Sequence, residues 1–560
     1  MKKMKKILAM LLASVMILSL AGCSSKSTPT QGSPDVKSSE EDTAAPADAA
    51  NTQDTTELVT GTNQGAAPDN DLVIAVETSI SSLDPHNLSD TLSISASRAV
   101  YENLVMFDSE MNIVGQLAEN YEISDDSLTY TFHLRKGVKF HDGTDFNSAA
   151  VKANFERIMN KDNNLRTRSR FVVTSGDTEK NRIESIETPD DSTVIFKLAE
   201  PYSPFINKLT LVGIISPAAI EKYGNEGLIT NPVGTGPYIF KEWVEGDHMT
   251  ATANPDYWGT KPGVNSVTIK EVPEAGSRTA MLQTGEADLI YPMPSDQIAA
   301  VGTSGDITVN ATTSTIMRYV TLNTNLKELN DVRVRQAMNY AIDRNAYVQL
   351  MYAGYGAPAT SVMAPSISYY SEQPAYDYNL EKAKSLLAEA GYPDGFKLTL
   401  WGDNSTQEVK GMTFVKQQLE QIGIEVEVVP MEPATVSDKI YVPLEDAEIN
   451  MWYVNWSPSS CDADGAMRAL FYSSMCPPTS ANTAYYNNTE VDDLLDQGIA
   501  SADPQVLTQV YAKAQSKIWS DAPWLFLGND QNIFANKAYL SGVSVAPDGA
   551  INFAAATLAQ

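Results

Sequence analysis

The chain has 560 residues, of which 43% are apolar and 20% are charged, and a chain of this length exceeds what one hydrophobic core supports. We therefore expect two or three domains. The 40 basic and 70 acidic residues give a formal net charge of −30, which repels phosphate backbones and excludes nucleic acid as a partner.

The first 23 residues carry a targeting signal. Lysines precede an apolar run over residues 7–20, and the sequence then reads Leu-Ala-Gly-Cys up to Cys23. This layout indicates a signal peptide, residues 1–22, ending in a lipobox, with the lipid attached to the Cys23 thiol. A membrane-spanning anchor is the alternative, but about 14 apolar residues fall short of the roughly 20 that cross a bilayer. We expect an extracytoplasmic protein that is lipid-anchored to the outer face of the cell membrane, in the periplasm if the cell has an outer membrane.

Residues 23–70 read as a disordered tether, because they are rich in Ser, Thr, Ala, Pro, Gln and Asp and have scarcely a large apolar side chain. Apart from Cys23, the chain has two cysteines, Cys461 and Cys476. Outside the cytoplasm such a pair is more often bridged than free, so the sequence favours a disulfide. Two unpaired buried thiols are the alternative.

From residue 71 onward the sequence alternates strand-like and helix-like segments. Asn147 or Ser148 offers the N-cap of a helix whose apolar stripe follows. Apolar runs and period-2 alternation predict strands over residues 72–76, 128–134, 138–140, 193–198 and 267–272.

The second half of the chain shows the clearer pattern. A long helix is predicted over residues 332–350, and Asn379 caps another helix that ends at Gly391. A strand over residues 396–400, a helix to Gly423 and a strand over 424–428 then form a βαβ unit. Such a unit implies a parallel sheet with a right-handed crossover, so the fold class is α/β.

Six stretches of the chain have distinctive sequences. They are residues 101–158, which include FHLRKGVKFHDGT, NPVGTGPYIFKEW at 231–243, NPDYW at 254–258, RTAMLQTGEADLI at 278–290, DVRVRQAMNYAID at 331–343 and YDYNLEKAKSLLAEAGY at 376–392. These sequences resemble those of family 5 substrate-binding proteins of ABC importers, which bind peptides, glutathione and sometimes nickel. The resemblance is spread over residues 71–540, nearly the whole folded region.

The resemblance implies a bilobal body of the periplasmic-binding-protein type, two α/β lobes joined by a hinge with the ligand cleft between them. Lobe I is discontinuous and comprises residues 71–112, 231–316 and 530–560. A small subdomain, residues 113–230, packs on lobe I, and lobe II spans residues 317–529. We expect a monomer that closes around a peptide or glutathione and presents it to an ABC permease with its ATPase subunits.

Two segments of lobe II are candidates for binding the ligand. Trp401, Asp403 and Asn404 lie at the carboxyl end of a predicted strand, where open α/β sheets place ligands. Trp456 follows another predicted strand, residues 448–453. Aromatic rings offer large apolar contact, and a partly buried carboxylate can pair with a ligand ammonium.

In peptide-binding relatives, an Asp three residues after the loop Trp holds the α-amino group of the ligand. Here that position is Ser459, which leaves Asp462 as the first candidate anchor and Asp464 as the second. The sequences of these two segments are most similar to those of glutathione-binding members of the family. From lobe I, Thr78 and Ser79 follow the first strand and are expected to line the cleft.

The sequence lacks the motifs for nucleotide binding, for a zinc site and for hydrolysis. The Gly-Thr-Gly at residues 234–236 reads as a structural turn, because the following residues complete no nucleotide-binding fingerprint. The four histidines form no zinc motif, so we expect no metal site and no cofactor; nickel or a nickel chelate stays the second ligand candidate because some relatives bind it. An extracellular peptide hydrolase is the enzyme-class alternative, but no nucleophile elbow or Cys-His pair is evident, so we expect no enzyme.

Overall fold

The structure is a computed structural model. The predicted signal peptide, Cys23 and most of the predicted tether lie outside the residues that it describes. No helix in the described part of the chain is long and apolar enough to cross a membrane. The described residues are 56–59, 69–88, 90–175, 178–302 and 305–559.

The strands belong to one large mixed sheet, to a four-stranded sheet and to two-stranded ribbons. In chain order they are β1 Thr56–Val59, β2 Asp71–Val76, β3 Val105–Phe107, β4 Ile113–Gly115, β5 Ala118–Ile123, β6 Thr129–Leu134, β7 Val172–Ser175, β8 Thr178–Asn181, β9 Ile183–Asp190, β10 Thr193–Leu198, β11 Tyr238–Val244, β12 His248–Ala253, β13 Ser266–Glu271, β14 Leu289–Tyr291, β15 Ile307–Leu322, β16 Gly356–Pro358, β17 Phe396–Asp403, β18 Ile424–Met431, β19 Met451–Trp456, β20 Trp524–Lys537, β21 Leu540–Ser541, β22 Ser544–Val545, β23 Ile551–Asn552 and β24 Thr557–Leu558.

The helices cover the faces of the sheets. In chain order they are α1 Thr91–Val100, α2 Ser148–Met159, α3 Phe205–Leu209, α4 Pro217–Gly227, α5 Ala275–Thr284, α6 Ile298–Val301, α7 Val332–Tyr340, α8 Arg344–Tyr352, α9 Leu380–Glu389, α10 Thr406–Glu420, α11 Pro433–Ile440, α12 Ala463–Phe471, α13 Thr489–Ile499 and α14 Pro504–Asp521. Short 3-10 turns lie at Lys161–Asn163, Arg166–Arg170, Ser295–Gln297, Leu444–Asp446 and Ser473–Met475.

The large sheet has the strand order β11-β12-β13-β2-β14-β20-β15-β19-β17-β18. We call β15 and β20 the crossing strands: they pair with each other antiparallel, β20 also pairs with β14 of lobe I, and β15 also pairs with β19 of lobe II. The β17-α10-β18 segment is the predicted βαβ unit, and its two strands pair in parallel. The predicted α/β fold class is confirmed. The lobe boundaries drawn from the sequence stay a prediction.

Two predicted elements of the body are wrong. The helix predicted over residues 332–350 is two helices, α7 and α8, because the Asp343 side chain accepts a hydrogen bond from Ala346 N at 2.9 Å and so begins a new helix. The strand predicted over residues 138–140 reduces to one isolated bridge between Lys139 and Asp145.

The predicted tether also needs a correction at its far end. Strand β1 lies within residues 23–70 and pairs antiparallel with β15, placing Thr56 opposite Ala311 and Val59 opposite Val309. This part of β15 has β20 on its other side, and β19 begins to pair with β15 only at Met317. The free edge of β15 therefore offers β1 a ladder of backbone hydrogen bonds.

The predicted disulfide is absent, since Cys461 and Cys476 are both free thiols. Cys461 is buried in a cluster of lobe II that includes Met317 and Trp524, whereas Cys476 packs at a different cluster, around Trp401. Separate packing environments explain why the two sulfurs do not meet. Burial raises the pKa of both thiols above the ordinary value, which keeps them protonated and unreactive.

Three of the family-like segments, residues 101–158, 231–243 and 254–258, meet at the buried carboxylate of Glu102. Glu102 accepts hydrogen bonds from Thr235 Oγ1 at 2.8 Å, from Tyr257 OH at 2.7 Å and from Trp258 Nε1 at 2.7 Å. A Cβ at Gly234 would lie 2.2 Å from a backbone oxygen at the end of α1. The Gly-Thr-Gly segment is therefore a packing turn, as predicted.

Candidate functional site

Parallel strands end at a common edge in each half of the large sheet. In lobe I, β2 lies between β13 and β14 and runs parallel to both. In lobe II, β17 lies between β18 and β19 and runs parallel to both. Ligands of open α/β sheets bind outside the carboxyl ends of such strands. The residues after β2 and at the ends of β17 and β19 are therefore the first candidates for ligand contacts.

Thr78 and Ser79 lie at this edge in lobe I. Both are exposed and follow β2 after one further exposed residue, Glu77. Ile80 N then donates to Glu271 Oε1 at 2.9 Å, which fixes the course of the chain beyond them. Their contact with a ligand stays a prediction.

The edges of the two lobes meet beside β15. Thr315 Oγ1 lies 2.7 Å from Ser457 Oγ in the loop after β19, and Thr315 N donates to Pro547 O at 2.9 Å. On the lobe I side, Asp548 forms an ion pair with Arg98 at 2.9 Å. The loop after β19 and the turn at residues 547–548 therefore lie together beside β15, where the cleft is predicted.

Trp456, the last residue of β19, stands at this boundary. Its ring is half-buried, and its Nε1 donates to Gly465 O at 3.3 Å, which fixes its orientation. It lines a small, mainly apolar pocket together with Met317, Met363 and Trp524. From this position the ring can contact an apolar part of a ligand.

Asp462 and Asp464, the two predicted amino-group anchors, already have partners inside the protein. Asp462 caps α12, accepting from Gly465 N at 2.7 Å, and its Oδ2 lies 3.3 Å from Lys208 Nζ. Asp464 accepts from Arg468 Nε at 2.8 Å within the same helix. Burial raises the pKa of Asp464, and Arg468 opposes that rise. Each carboxylate therefore has a structural role that sequence reasoning did not assign to it.

The small subdomain holds the loop that carries these acids. Lys208 of α3 donates to Ser460 Oγ, and Asn207 Nδ2 donates to Ser460 O at 3.2 Å. Ser459, next to them, is exposed. The loop is thus fixed from outside lobe II, and its role in binding stays a prediction.

In the segment from Trp401 to Asn404, the first residue lies in the core and the last lies at the surface. The Trp401 side chain is 7% exposed and lies under α11, which explains why its ring packs in the core instead of opening to the cleft. Asp403 is half-buried at the end of β17, and Asn404 is exposed and donates to Glu432 Oε1 at 2.6 Å. The core neighbours of Trp401 are Val436, Ile440, Ile449 and Tyr485.

Sequence reasoning missed a charged group at the same edge. Arg318 of β15 forms an ion pair with Glu408 of α10, with Nη1 and Oε1 2.5 Å apart. Burial opposes the charged form of Arg318, but Asp530 of β20 and other neighbours raise its pKa above the ordinary value. Burial raises the pKa of Glu408, and Asp403 is one of the charges that add to this rise. A charged residue inside an apolar strand sequence, as in TIMRYVTL, was the available signal.

In the ranges that the structure describes, no group of three or more His, Cys, Asp or Glu side chains is placed to hold a metal ion. The buried imidazole of His86 instead lies 2.9 Å from Gly213 O and 2.7 Å from Arg157 Nη1.

Comparison with known proteins places this chain in a family. A family model described as bacterial extracellular solute-binding proteins, family 5 Middle, matches residues 112–475. The glutathione-binding protein GsiB of Escherichia coli O157:H7 is 40% identical over 493 residues, 87% of this chain and 94% of that protein. GsiB of Salmonella typhi is 39% identical over 488 residues, 86% of this chain and 93% of that protein.

Solved structures agree with the bilobal architecture. HbpA2 of Haemophilus parasuis is 28% identical with a TM-score of 0.77, covering 88% of this chain and 100% of that one. The periplasmic binding protein DppA of Helicobacter pylori, in complex with the peptide STSA, is 29% identical with a TM-score of 0.68, covering 88% and 98%. The fold is thus the predicted periplasmic-binding-protein type. The chain belongs to the bacterial extracellular solute-binding proteins of family 5.

Proposed function

We propose that this protein captures glutathione or a short peptide between its two lobes and delivers it to the permease of an ABC importer. The observation that carries the proposal is the similarity to glutathione-binding proteins, which are 39–40% identical over 86–87% of the chain. That span includes both carboxyl edges of the cleft. The lipid on Cys23 holds the protein at the outer face of the membrane, close to its permease.

The charges at the cleft support a zwitterionic ligand. Glutathione and peptides carry carboxylates and an ammonium group, so a receptor needs cations and acids. Arg98 and Arg318 supply guanidinium groups, and Glu408 and Asp530 supply carboxylates. The ring of Trp456 adds an apolar wall.

Closure is the step that commits the ligand to transport. Contacts that reach the ligand from both lobes favour the closed form only to the extent that they are absent when the lobes are apart. The crossing strands β15 and β20 join the lobes and serve as the hinge. The permease then distinguishes the closed, loaded receptor from the open, empty one.

A thermal-shift panel tests the ligand class. Glutathione, peptides of two to five residues and Ni²⁺ are each added to the purified mature protein. A ligand at about 100 times its Kd adds about 2.7 kcal/mol to the free energy of unfolding, so glutathione or a short peptide should raise the Tm by several degrees. A rise with Ni²⁺ alone would favour the nickel alternative, and uptake of the ligand by a deletion strain would separate transport from sensing.

A further inference from the structure

A charged cluster lies on one face of the crossing strands, where the two lobes join. We call Arg318, Tyr352, Glu408 and Asp530 the hinge cluster. Arg318 of β15 lies opposite Gly528 of β20. Since alternate residues of a strand share a face, Asp530 points to the same side as Arg318.

The hinge cluster contains buried polar atoms that lack hydrogen-bond partners. Arg318 Nη1 pairs with Glu408, but Arg318 Nε has no partner. Asp530 Oδ1 and Tyr352 OH are likewise buried without a hydrogen bond of ordinary geometry to any residue that the structure describes, although Tyr352 lies close enough to Asp530 to lower its pKa. In the described part of the chain, no lysine or arginine lies within ion-pair distance of Asp530, although Arg318 is the charge that acts on it most strongly. A donor and an acceptor of opposite charge therefore stand close together without pairing.

The hinge cluster is partly open to solvent at the level of whole side chains. The side chains of Arg318 and Glu408 are 14% and 16% exposed, and Asp530 is half-buried. Tyr291, at the end of β14 in lobe I, donates to Asn532 Oδ1 at 2.9 Å, two residues beyond Asp530 on β20. Asp530 is also among the charges that raise the pKa of Tyr291, after burial, Asp548 and Glu77. The cluster therefore borders the carboxyl edge of lobe I.

Charge balance favours an additional cation at this place. The carboxylates of Asp530 and Glu408 both act on the guanidinium charge of Arg318, and Asp403 acts in turn on Glu408. A guanidinium has five N–H donors, and the ion pair with Glu408 leaves several of them for a second carboxylate. The cluster can thus accept one ammonium and one carboxylate at the same time.

We propose that Arg318 and Asp530 bind the α-amino-acid head of the ligand, with Arg318 holding its α-carboxylate and Asp530 its α-ammonium. This inference rests on the proposed function and names the part of the ligand that determines specificity. In a γ-glutamyl compound the ammonium and the carboxylate sit on one carbon, whereas an α-linked peptide carries them at opposite ends. Arg318 and Asp530, close but not ion-paired, fit the first arrangement.

This assignment moves the amino-group anchor from the loop after β19 to the crossing strands. Asp462 is neutralised by Lys208 and caps a helix, and Asp464 is paired with Arg468. Asp530 has no such ion pair. Of these three carboxylates, Asp530 has the charge least compensated by the protein itself.

Calorimetric titration of the mature protein with three ligands tests the proposal without any mutation. The ligands are glutathione, its analogue without the α-amino group (glutaryl-cysteinyl-glycine) and its analogue without the α-carboxylate (4-aminobutyryl-cysteinyl-glycine). Loss of a charge-assisted hydrogen bond weakens binding about tenfold or more, so both analogues should bind that much more weakly than glutathione. Equal affinity for glutathione and either analogue would overturn the proposal.

Two variants then test which side chain binds the ammonium and which binds the carboxylate of the ligand. Asp530→Asn should weaken glutathione binding about tenfold and leave the affinity for glutaryl-cysteinyl-glycine unchanged, because that analogue has no ammonium to lose. Arg318→Gln should show the converse pattern with 4-aminobutyryl-cysteinyl-glycine. Asp493→Asn, at an exposed position of α13, is the matched control and should bind all three ligands like the wild type.

Three outcomes contradict the assignment and leave the proposed function standing. If the Asp530→Asn protein binds glutathione like the wild type, Asp530 does not bind the ammonium. The same conclusion follows if its affinities for glutathione and for glutaryl-cysteinyl-glycine fall by the same factor. A wild-type protein that binds α-linked peptides but no γ-glutamyl compound likewise removes the proposed head group. If the wild type binds neither peptides nor glutathione, the proposed function fails together with this inference.

Discussion

His86 shows how a single buried residue can make the fold sensitive to acid. Its side chain is fully buried, and Arg157 Nη1 lies 2.7 Å from its Nδ1. Since a guanidinium only donates, Nδ1 accepts, and Nε2–H donates to Gly213 O at 2.9 Å. The imidazole is therefore neutral. Burial lowers its pKa to about 4; Arg157 adds to this shift and Asp84 opposes it.

We predict a loss of stability as the pH falls from about 6.5 to about 4. In this window the unfolded chain takes up a proton on His86 and the folded chain does not, so unfolding is favoured by about 3 kcal/mol in total. Urea unfolding at pH 7 and pH 4.5 measures the effect. His86→Gln, which can keep both hydrogen bonds but does not titrate, should reduce the difference between the two pH values; an unchanged difference would assign the acid sensitivity to other groups.

At the scale of elements, the packing of the β17-α10-β18 unit depends on backbone contact between two glycines, Gly395 and Gly423. A Cβ on Gly395, just before β17, would lie 1.8 Å from the backbone oxygen of Gly423, just before β18. Gly395 also has a φ of +75°, which side chains with a Cβ rarely adopt. The start of both parallel strands is therefore fixed by a backbone contact that no other residue permits.

Gly395→Ala should destabilise lobe II by about 3 kcal/mol or more, because backbone must move to relieve the clash. Gly391→Ala is the control: its φ is +93°, but a Cβ there meets nothing within 4 Å, so only the conformational cost of about 1 kcal/mol applies. Chemical denaturation of both variants gives the comparison. Equal losses would mean that the contact with Gly423 is readily relieved.

Elements with local signals were predictable from the sequence. Strand β10 and helix α9 follow the predicted bounds closely, because alternation, the Asn379 cap and Gly391 act within a few residues. The break between α7 and α8 was missed, since the apolar pattern continues through buried Ile342. Strand β1 was missed because its partner, β15, lies about 250 residues away in sequence, and only tertiary structure brings such an edge within reach.

The candidate site was only partly predictable, for the same reason. The carboxyl ends of β2, β17 and β19 follow from strand order, so the positions of Thr78, Asp403 and Trp456 at these ends were predictable. Trp401 was misread because nothing in its neighbourhood reveals that α11 covers it. The proximity of Arg318 and Asp530 depends on pairing between strands more than 200 residues apart.

At the scale of the whole molecule, a shielded ion pair and several hydrogen bonds join the predicted small subdomain to the predicted lobe II. Lys208 of α3 and Asp462 at the start of α12 approach to 3.3 Å, and their side chains are 15% and 7% exposed. Burial opposes the charged form of Lys208, but Asp462 raises its pKa overall. A pair so shielded from solvent leaves an uncompensated charge when one partner is removed.

Lys208→Met should therefore lower the free energy of unfolding by about 2 kcal/mol. The matched control is Lys197→Met, whose exposed pair with Glu187 contributes less than about 1 kcal/mol. Denaturant unfolding of both variants gives the comparison. If Lys208→Met is as stable as the control, the ion pair between Lys208 and Asp462 adds nothing to the stability of the fold.

Isothermal titration of the ligand-stripped mature protein with glutathione and with short peptides tests the central claim most directly. A receptor that closes its lobes around one ligand should give saturable binding with one molecule per chain for glutathione or for at least one peptide. Because closure buries apolar surface, the heat capacity change of binding should be negative. The absence of binding to all of these ligands, or the hydrolysis of a peptide during the titration, would contradict the account.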